Sequence, residues 1–198
     1  MSVATMVKMP SQVPISLKTK QRKVTIEEFY KKYAERKDGF KYEYQFGEII
    51  KTPSVMNPDI LYLMRKLNLV FYKTQAFKQG CVFEAEVNFK TSDEQTRRPH
   101  KAMFTDEQIN LARSGKKNVV PAFVVECIST HDSVVTVTDK IIEYFNVGVQ
   151  VYWQIQRQHQ LVYVYTSPTQ IMVCKGDSIC SAAPVLPDFQ ISAKDLFQ

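Results

Sequence analysis

The sequence lacks long apolar runs and paired cysteines. No stretch of its 198 residues approaches the roughly 18 consecutive apolar residues of a membrane-spanning helix, and its start lacks the apolar centre of a signal peptide. The four cysteines, Cys81, Cys127, Cys174 and Cys180, form no CxxC pair, and three of them lie in apolar strand-like runs. We therefore expect a cytoplasmic protein without a membrane partner, whose cysteines are buried reduced thiols rather than disulfides or zinc ligands.

Several motifs that mark an enzyme class are absent as well. The sequence contains no nucleophile elbow, phosphate-binding loop or HExxH pattern, so hydrolases of those types and nucleotide-binding proteins have no positive signal. It also has no internal repeat and no low-complexity segment. Aromatic residues make up 12% of the chain and are spread through apolar segments, which is typical of core packing rather than of a base-stacking surface.

The composition that remains is that of a folded protein with a charged end. Hydrophobic residues make up 44% and charged residues 23%, and a chain of 198 residues usually forms one domain. Residues 1–23 contain five basic residues and no acidic one, although the net charge of the whole chain is only +6. We predict a basic flexible tail over residues 1–23, able to attract phosphate or an acidic partner, and a single domain over residues 24–198.

Hydrophobic periodicity predicts alternating helices and strands. A capping-box spacing of Thr25 and Glu28 begins the first helix, and Gly80 and Gly148 end two later ones. The strand "AFVVECI" is apolar nearly throughout, which is typical of a central strand covered on both faces. We predict a mixed central sheet flanked by helices on both faces, an α/β (α+β) fold. The predicted strands cover residues 41–45, 48–51, 81–89, 99–104 and 122–128, followed by three more after Gly148.

Two acidic residues interrupt predicted strands. Glu126 lies in "AFVVECI" and Glu86 in "FEAEVNF". Burying a carboxylate without a partner costs several kcal/mol, so Glu126 should face a metal, a lysine or a hydrogen-bond donor at the end of its strand. A structural salt bridge or backbone amides would satisfy the same requirement. The pattern therefore indicates a candidate site without fixing its chemistry.

Residues from about 24 to the end resemble a known family. The order of "YEYQFGEII", "EAEVNF", "RRPH", "AFVVECIST" and "DKIIEYFNVGVQVYWQI" is similar to that of the Uma-two-type restriction endonucleases of the PD-(D/E)XK superfamily, and the last two segments are the most specific. The resemblance implies a restriction-endonuclease-like fold and divalent-metal-dependent hydrolysis of DNA. It also implies Mg²⁺ or Mn²⁺ as the cofactor of an active enzyme.

The resemblance assigns roles to individual residues. Glu126 corresponds to the acidic metal ligand, and Lys140 supplies the catalytic ammonium because Ile128 occupies the position where many members of the superfamily carry a lysine. Glu48 corresponds to an acid of the hairpin that serves as a second ligand or orients the water, and Glu86 corresponds to a further metal ligand. Such groups suit phosphodiester hydrolysis, since a carboxylate-held cation neutralises the phosphate and generates hydroxide at neutral pH.

The sequence departs from the family pattern at His100. Pro99 is present, but histidine occupies the position of the aspartate ligand, which removes a negative charge from a site that must hold a dication. His100 could bind Mn²⁺, Ni²⁺ or Zn²⁺ with Glu126 and Glu86, mark a degenerate site, or pair with Glu126. Lys101 should point to the opposite face of the strand.

The sequence leaves open the roles of two residues in the turn after the Glu126 strand, and it is compatible with two functions. His131 and Asp132 follow the Glu126 strand and could support the site or belong to an ordinary surface turn. The first hypothesis for function is a DNA-hydrolysing protein with a degenerate metal site, and the alternative is an inactive binding or assembly module that needs no cofactor. A homodimer is compatible with either hypothesis, since nucleases that cut both strands are commonly dimeric.

Overall fold

The computed structural model describes residues 22–54, 58–115, 118–128 and 132–198. The six helices of these ranges are α1 (Ile26–Lys32), α2 (Pro58–Phe71), α3 (Gln75–Lys78), α4 (Asp106–Arg113), α5 (Val134–Val147) and α6 (Ala193–Phe197). The strands are β1 (Phe40–Gln45), β2 (Glu48–Pro53), β3 (Val82–Glu84), β4 (Phe89–Ser92), β5 (Gln95–Arg97), β6 (Lys101–Phe104), β7 (Phe123–Ile128), β8 (Val151–Gln156), β9 (Leu161–Ser167), β10 (Gln170–Cys174), β11 (Ile179–Ala182) and β12 (Leu186–Ser192).

The main sheet has six strands in the order β10-β9-β8-β7-β6-β3. Only β7 and β8 pair in parallel, and Glu126 lies opposite Gln154 in their register. A parallel pair needs a crossover connection, which α5 provides between these two strands. The crossover brings α5 close to the carboxyl end of β7, where Glu126 lies.

Strand β7 lies in the interior because both of its faces are apolar. Phe123 and Val125 belong to a core cluster with Trp153 and residues of α2 and α6. Val124 points to the other face, into a cluster with Tyr144 of α5. Helices therefore cover both faces, and the predicted mixed α/β fold is confirmed. Glu126 has the same parity as Val124 and points toward α5.

A second sheet, of order β2-β1-β5-β4, carries a smaller cluster of its own. Phe29 of α1 packs there against Tyr42 and Tyr44 of β1. The turn between β1 and β2 places Phe46 at φ 48° and Gly47 at φ 89°, as a two-residue hairpin turn with two positive φ angles requires. The predicted hairpin is thus present.

The prediction of one strand over residues 81–89 is wrong. Strand β3 ends at Glu84, the chain bends at Glu86 with φ 55°, and β4 begins at Phe89 in the other sheet. The polar segment that follows, expected to form a turn, instead forms the β4–β5 hairpin. Alternation of side chains continues through a bend, so the sequence pattern alone could not locate the change of sheet.

Two other boundaries also differ from the sequence-based expectation. The long helix expected to reach Gly80 ends at Phe71, and the Thr74 side chain accepts a hydrogen bond from the Phe77 amide to cap a separate short helix. Strands β11 and β12 and helix α6 were not predicted. None of the helices in the described ranges is long and apolar enough to cross a membrane.

The four cysteines are free thiols, and Cys174 and Cys180 are fully buried. The predicted tail over residues 1–23 falls outside the described residues except for Arg22 and Lys23. Its boundary with a single domain over residues 24–198 therefore stays a prediction.

Candidate functional site

A cavity of ≈ 680 Å³ opens at the carboxyl end of β7, between the β1–β2 hairpin and α5. The carboxyl ends of strands in such sheets are common ligand sites. Four of the residues predicted from the sequence line the cavity, namely His100, Glu126, Lys140 and Glu86. The fold thus brings together groups from four separate segments of the chain.

The Glu126 carboxylate is the centre of the site and is only 3% exposed. Its Oε2 atom accepts from His100 twice, from Nδ1 at 2.6 Å and from the backbone amide at 3.3 Å. Its Oε1 atom accepts from the Tyr144 hydroxyl at 2.9 Å and from Lys140 Nζ at 3.3 Å. An ionised carboxylate has about four acceptor positions, so these four donors fill it.

The charges around Glu126 keep it ionised. Burial alone would raise the pKa of this carboxyl, but the ammonium groups of Lys140 and Lys41 and the imidazole of His100 outweigh burial and hold the pKa well below its ordinary value. Burial would lower the pKa of Lys140, and the nearby carboxylates of Glu126 and Glu43 raise it instead. The pair is therefore an ion pair at neutral pH. Burial and Glu126 raise the pKa of Tyr144, whose hydroxyl keeps its proton and donates it.

The tautomer of His100 follows from this ionisation. Because an ionised carboxylate can only accept, the 2.6 Å contact requires the proton to reside on Nδ1. The Cys127 amide lies 3.4 Å from the same nitrogen, a longer contact that cannot be a hydrogen bond once Nδ1 carries a proton. His100 therefore pairs with Glu126, which is one of the three alternatives that the sequence leaves open for it. Lys101 on the next position points away, and its Nζ donates to the Phe83 carbonyl.

Two residues of β1 that the sequence reasoning missed also line the cavity. Lys41 and Glu43 are 8% and 4% exposed and occupy alternate positions of the strand, so they share one face. Tyr42 and Tyr44 occupy the opposite face, against α1. The alternation in "KYEY" was the available signal, but a polar face on a hairpin strand ordinarily faces water, and nothing local shows that this face is buried and lines a cavity.

Arg97 links Glu43 to α5 and is only 3% exposed. Its Nη1 atom lies 3.1 Å from Glu43, while Nε and Nη2 lie 2.6 and 2.8 Å from the two oxygens of Glu143 on α5. The backbone amide of Arg98 also donates to Glu43, at 2.9 Å. Burial would raise the pKa of Glu43, but Lys140, Lys41 and Arg97 hold it below its ordinary value. This network joins β1, β5 and α5 through charged side chains.

The remaining predicted residues differ in their placement. Glu86 lines the cavity, where it accepts from Ser54 at 3.1 Å. Glu48 is an exposed residue at the start of β2 and does not line the cavity, so the structure does not bring it to Glu126. Asp132 is exposed and lines the cavity, whereas His131 lies outside the described residues.

The arrangement does not fit a hard divalent cation. Mg²⁺ and Mn²⁺ need several oxygen ligands with free lone pairs, whereas all acceptor positions of Glu126 are already filled by protein donors. Within the described ranges, no group of three or more His, Cys, Asp or Glu side chains is placed to hold a metal ion. A metal at Glu126 would have to displace His100, Lys140 or Tyr144.

Comparisons with known proteins agree with this fold. A family model described as "Uma2: Putative restriction endonuclease" matches residues 26–194. The crystal structure of a protein titled a putative nuclease belonging to DUF820, from Anabaena variabilis ATCC 29413, superimposes with a TM-score of 0.72 at 21% identity, covering 88% of this chain and 97% of that one. At this identity the likeness concerns the fold alone. A search of curated proteins finds no match.

Proposed function

Because the chain belongs to the Uma2 family, whose description reads "Putative restriction endonuclease", we propose that it binds DNA with its cavity and that its metal site is degenerate. Restriction-endonuclease-like proteins generally use divalent metals. In this proposal His100 takes the place of the metal-binding aspartate and donates a hydrogen bond to the Glu126 carboxylate instead of binding a metal ion. DNA binding is retained, and Mg²⁺-dependent hydrolysis is lost.

The single observation that carries the proposal is the filled coordination of Glu126. Four donors from His100, Lys140 and Tyr144 surround its two oxygens. Charge-assisted hydrogen bonds of this kind are about twice as strong as neutral ones. A cation that binds at Oε1 must break such bonds and also leave the half-buried Lys140 ammonium without its partner.

The proposal keeps a role for the cationic residues. Lys41, Arg97, Lys140 and Arg157 all line the cavity, and ammonium and guanidinium groups are the usual partners of nucleic-acid phosphates. Lys140 and Tyr144 hold Glu126 in place, and Glu126 in turn orients His100. In this proposal the cavity offers positive charge to a bound phosphate, and the described residues do not activate water through a metal.

Cleavage and binding assays test the proposal together. Wild-type protein with supercoiled plasmid and Mg²⁺ or Mn²⁺ should give no more nicking than Glu126→Ala, while fluorescence anisotropy with labelled duplex DNA in EDTA should show binding. A Lys140→Met variant should bind DNA more weakly than Lys78→Met, which changes an exposed lysine outside the cavity. Metal-dependent cleavage by the wild type that disappears in Glu126→Ala would overturn the proposal that the metal site is degenerate. Absence of DNA binding in EDTA would overturn the proposal that DNA binding is retained.

A second feature favours self-association, which would make the DNA-binding unit a dimer. Strand β10 is an edge of the main sheet, and its residues Ile171, Met172 and Val173 are 47%, 58% and 52% exposed. Edge strands of monomeric proteins usually carry charges or prolines that prevent pairing, and β10 has neither. We propose that two copies pair through β10. Light scattering should give a dimer for the wild type and a monomer for Met172→Lys, and an identical mass for the two proteins would refute the proposal.

A further inference from the structure

Lys41 has an unusual environment for a lysine. Only 8% of this residue is exposed. It lies on β1 and lines the cavity. Among the residues that the structure describes, none forms a hydrogen bond or a close ion pair with its ammonium group. A lysine ammonium carries three donor protons, and a buried donor without an acceptor costs free energy. Its three donors are therefore available to a ligand.

The neighbouring acids do not use this ammonium as a partner. The charge of Lys41 acts on Glu126 and Glu43 from a distance. Both carboxylates are occupied by other donors, Glu126 by the four already described and Glu43 by Arg97 and the Arg98 amide. Lys41 thus contributes a positive charge to the cavity, and no carboxylate within the described ranges forms an ion pair with it.

The formal charges of the lining cancel, so its preference for an anion depends on which of the charged residues are paired. The cavity is lined by four basic residues, Lys41, Arg97, Lys140 and Arg157, and by four acidic ones, Glu43, Glu86, Glu126 and Asp132. Three of the basic residues have acidic partners: Arg97 with Glu43 and Glu143, Lys140 with Glu126, and Arg157 with Asp59. Lys41 is the exception, and an anion that enters the cavity meets this ammonium without displacing an ion pair.

The rest of the lining limits what that anion is attached to. Apolar side chains of Ile50, Ile60, Met64 and Val137 form part of the wall. The volume of ≈ 680 Å³ lies within the range of about 300–1,000 Å³ that is usual for small-molecule sites. A nucleotide matches both features, since its phosphate needs the cation and its sugar and base need an apolar wall.

We infer that the Lys41 ammonium binds a phosphate oxygen of a nucleotide in this cavity without a metal ion. The inference rests on the proposed function and specifies its ligand. Lys41 supplies at the phosphate the positive charge that a divalent cation supplies in a metal-dependent nuclease. The ligand is the phosphate of a single nucleotide unit, either free or at the end of a DNA strand.

Calorimetric titration in EDTA tests the inference directly. The wild type should bind dTMP, bind inorganic phosphate more weakly, and fail to bind thymidine. Lys41→Met should weaken dTMP binding about ten-fold or more, because a charge-assisted hydrogen bond is lost. Lys41→Arg, which keeps the charge, should retain more of the affinity. The control is Lys51→Met, an exposed lysine on the same hairpin that lies outside the cavity lining, and it should leave binding near the wild-type value.

Thermal unfolding separates a ligand-binding role from a structural one. Without ligand, the Tm of Lys41→Met should stay close to that of the wild type, because the change removes a buried ammonium that has no acceptor but also removes a positive charge that favours the ionised forms of Glu126 and Glu43. With dTMP, only the wild type and Lys51→Met should show a rise in Tm. Equal losses of affinity in Lys41→Met and Lys51→Met, or no binding of dTMP by the wild type, would overturn the inference. Equal affinity for inorganic phosphate would overturn the assignment to a nucleotide. None of these outcomes depends on metal binding or cleavage, which test the proposed function separately.

Discussion

The substitution His100→Asp tests the degenerate site most directly. It restores the second carboxylate of the family pattern and removes the imidazole whose Nδ1 lies 2.6 Å from Glu126. Loss of one hydrogen bond to a charged group costs about 1.5–3 kcal/mol. Two carboxylates about 4 Å apart repel by about 4 kcal/mol at an effective dielectric constant of 20, although protonation of one of them limits this repulsion. We therefore expect the metal-free variant to be less stable than the wild type by about 3–5 kcal/mol.

Metal should reverse much of this loss in the variant alone. A chain of this size loses about 2–4 °C of Tm per kcal/mol, so His100→Asp in EDTA should unfold roughly 10 °C below the wild type. Manganese at one hundred times its Kd would restore about 2.7 kcal/mol. The wild type should show almost no response to the same concentration, because its Glu126 oxygens already have donors. Differential scanning calorimetry with EDTA or MnCl₂ measures both quantities.

His100→Asn is the matched control, because asparagine has the shape of aspartate without its charge. Its amide nitrogen is a donor rather than a second anion, so it should gain neither the repulsion nor the response to manganese. If manganese raises the Tm of the wild type as much as that of His100→Asp, Glu126 was available to a metal from the start. The reasoning would then be refuted, and the metal-dependent hypothesis would take its place.

Two further predictions concern the buried charges around the cavity. Arg97→Met should lower the free energy of unfolding in urea by about 3–5 kcal/mol, because Glu43 and Glu143 lose their guanidinium partner, and a loss below about 1 kcal/mol would show that the network contributes little. Folding lowers the pKa of both Glu126 and Glu43 from the ordinary value of 4.5, so the stability from their ionised forms is complete above that pH and is lost as the pH falls below it. Urea unfolding over a range of acidic pH should therefore show a steep decline in the wild type and a shallower one in Glu126→Gln, and parallel curves would contradict the assigned pKa directions.

Local sequence patterns predicted the elements that hold the site, and the reasons are local. The apolar run of β7 required cover on both faces, which placed it at the centre of the sheet and made Glu126 a buried group in need of partners. The spacing of Lys140 and Tyr144 placed both on one side of α5, and both contact Glu126. Caps and glycines marked most helix and hairpin ends for the same reason, because they satisfy backbone groups within a few residues.

The composition of the pocket depended on contacts between distant parts of the chain. Periodicity shows which side chains share a face, but it does not show which element covers that face. For this reason Glu48, which is exposed at the hairpin end, is predicted from the sequence, whereas Lys41 and Glu43 of the same hairpin, which are buried and line the cavity, are not. The bend at Glu86, which divides one apparent strand between two sheets, is not predicted either, because the alternation of side chains continues through a bend.

The sequence by itself therefore determined the helices and strands that carry Glu126 and Lys140, the family and the requirement that Glu126 be paired. Only the tertiary structure decided that His100, Lys140 and Tyr144 donate to it, and that Lys41 lies near them without a hydrogen-bond partner in the described residues. The physical reason is that a buried charge can be satisfied in several ways that look alike along the chain. The geometry of the folded strands and of α5 selects one of them.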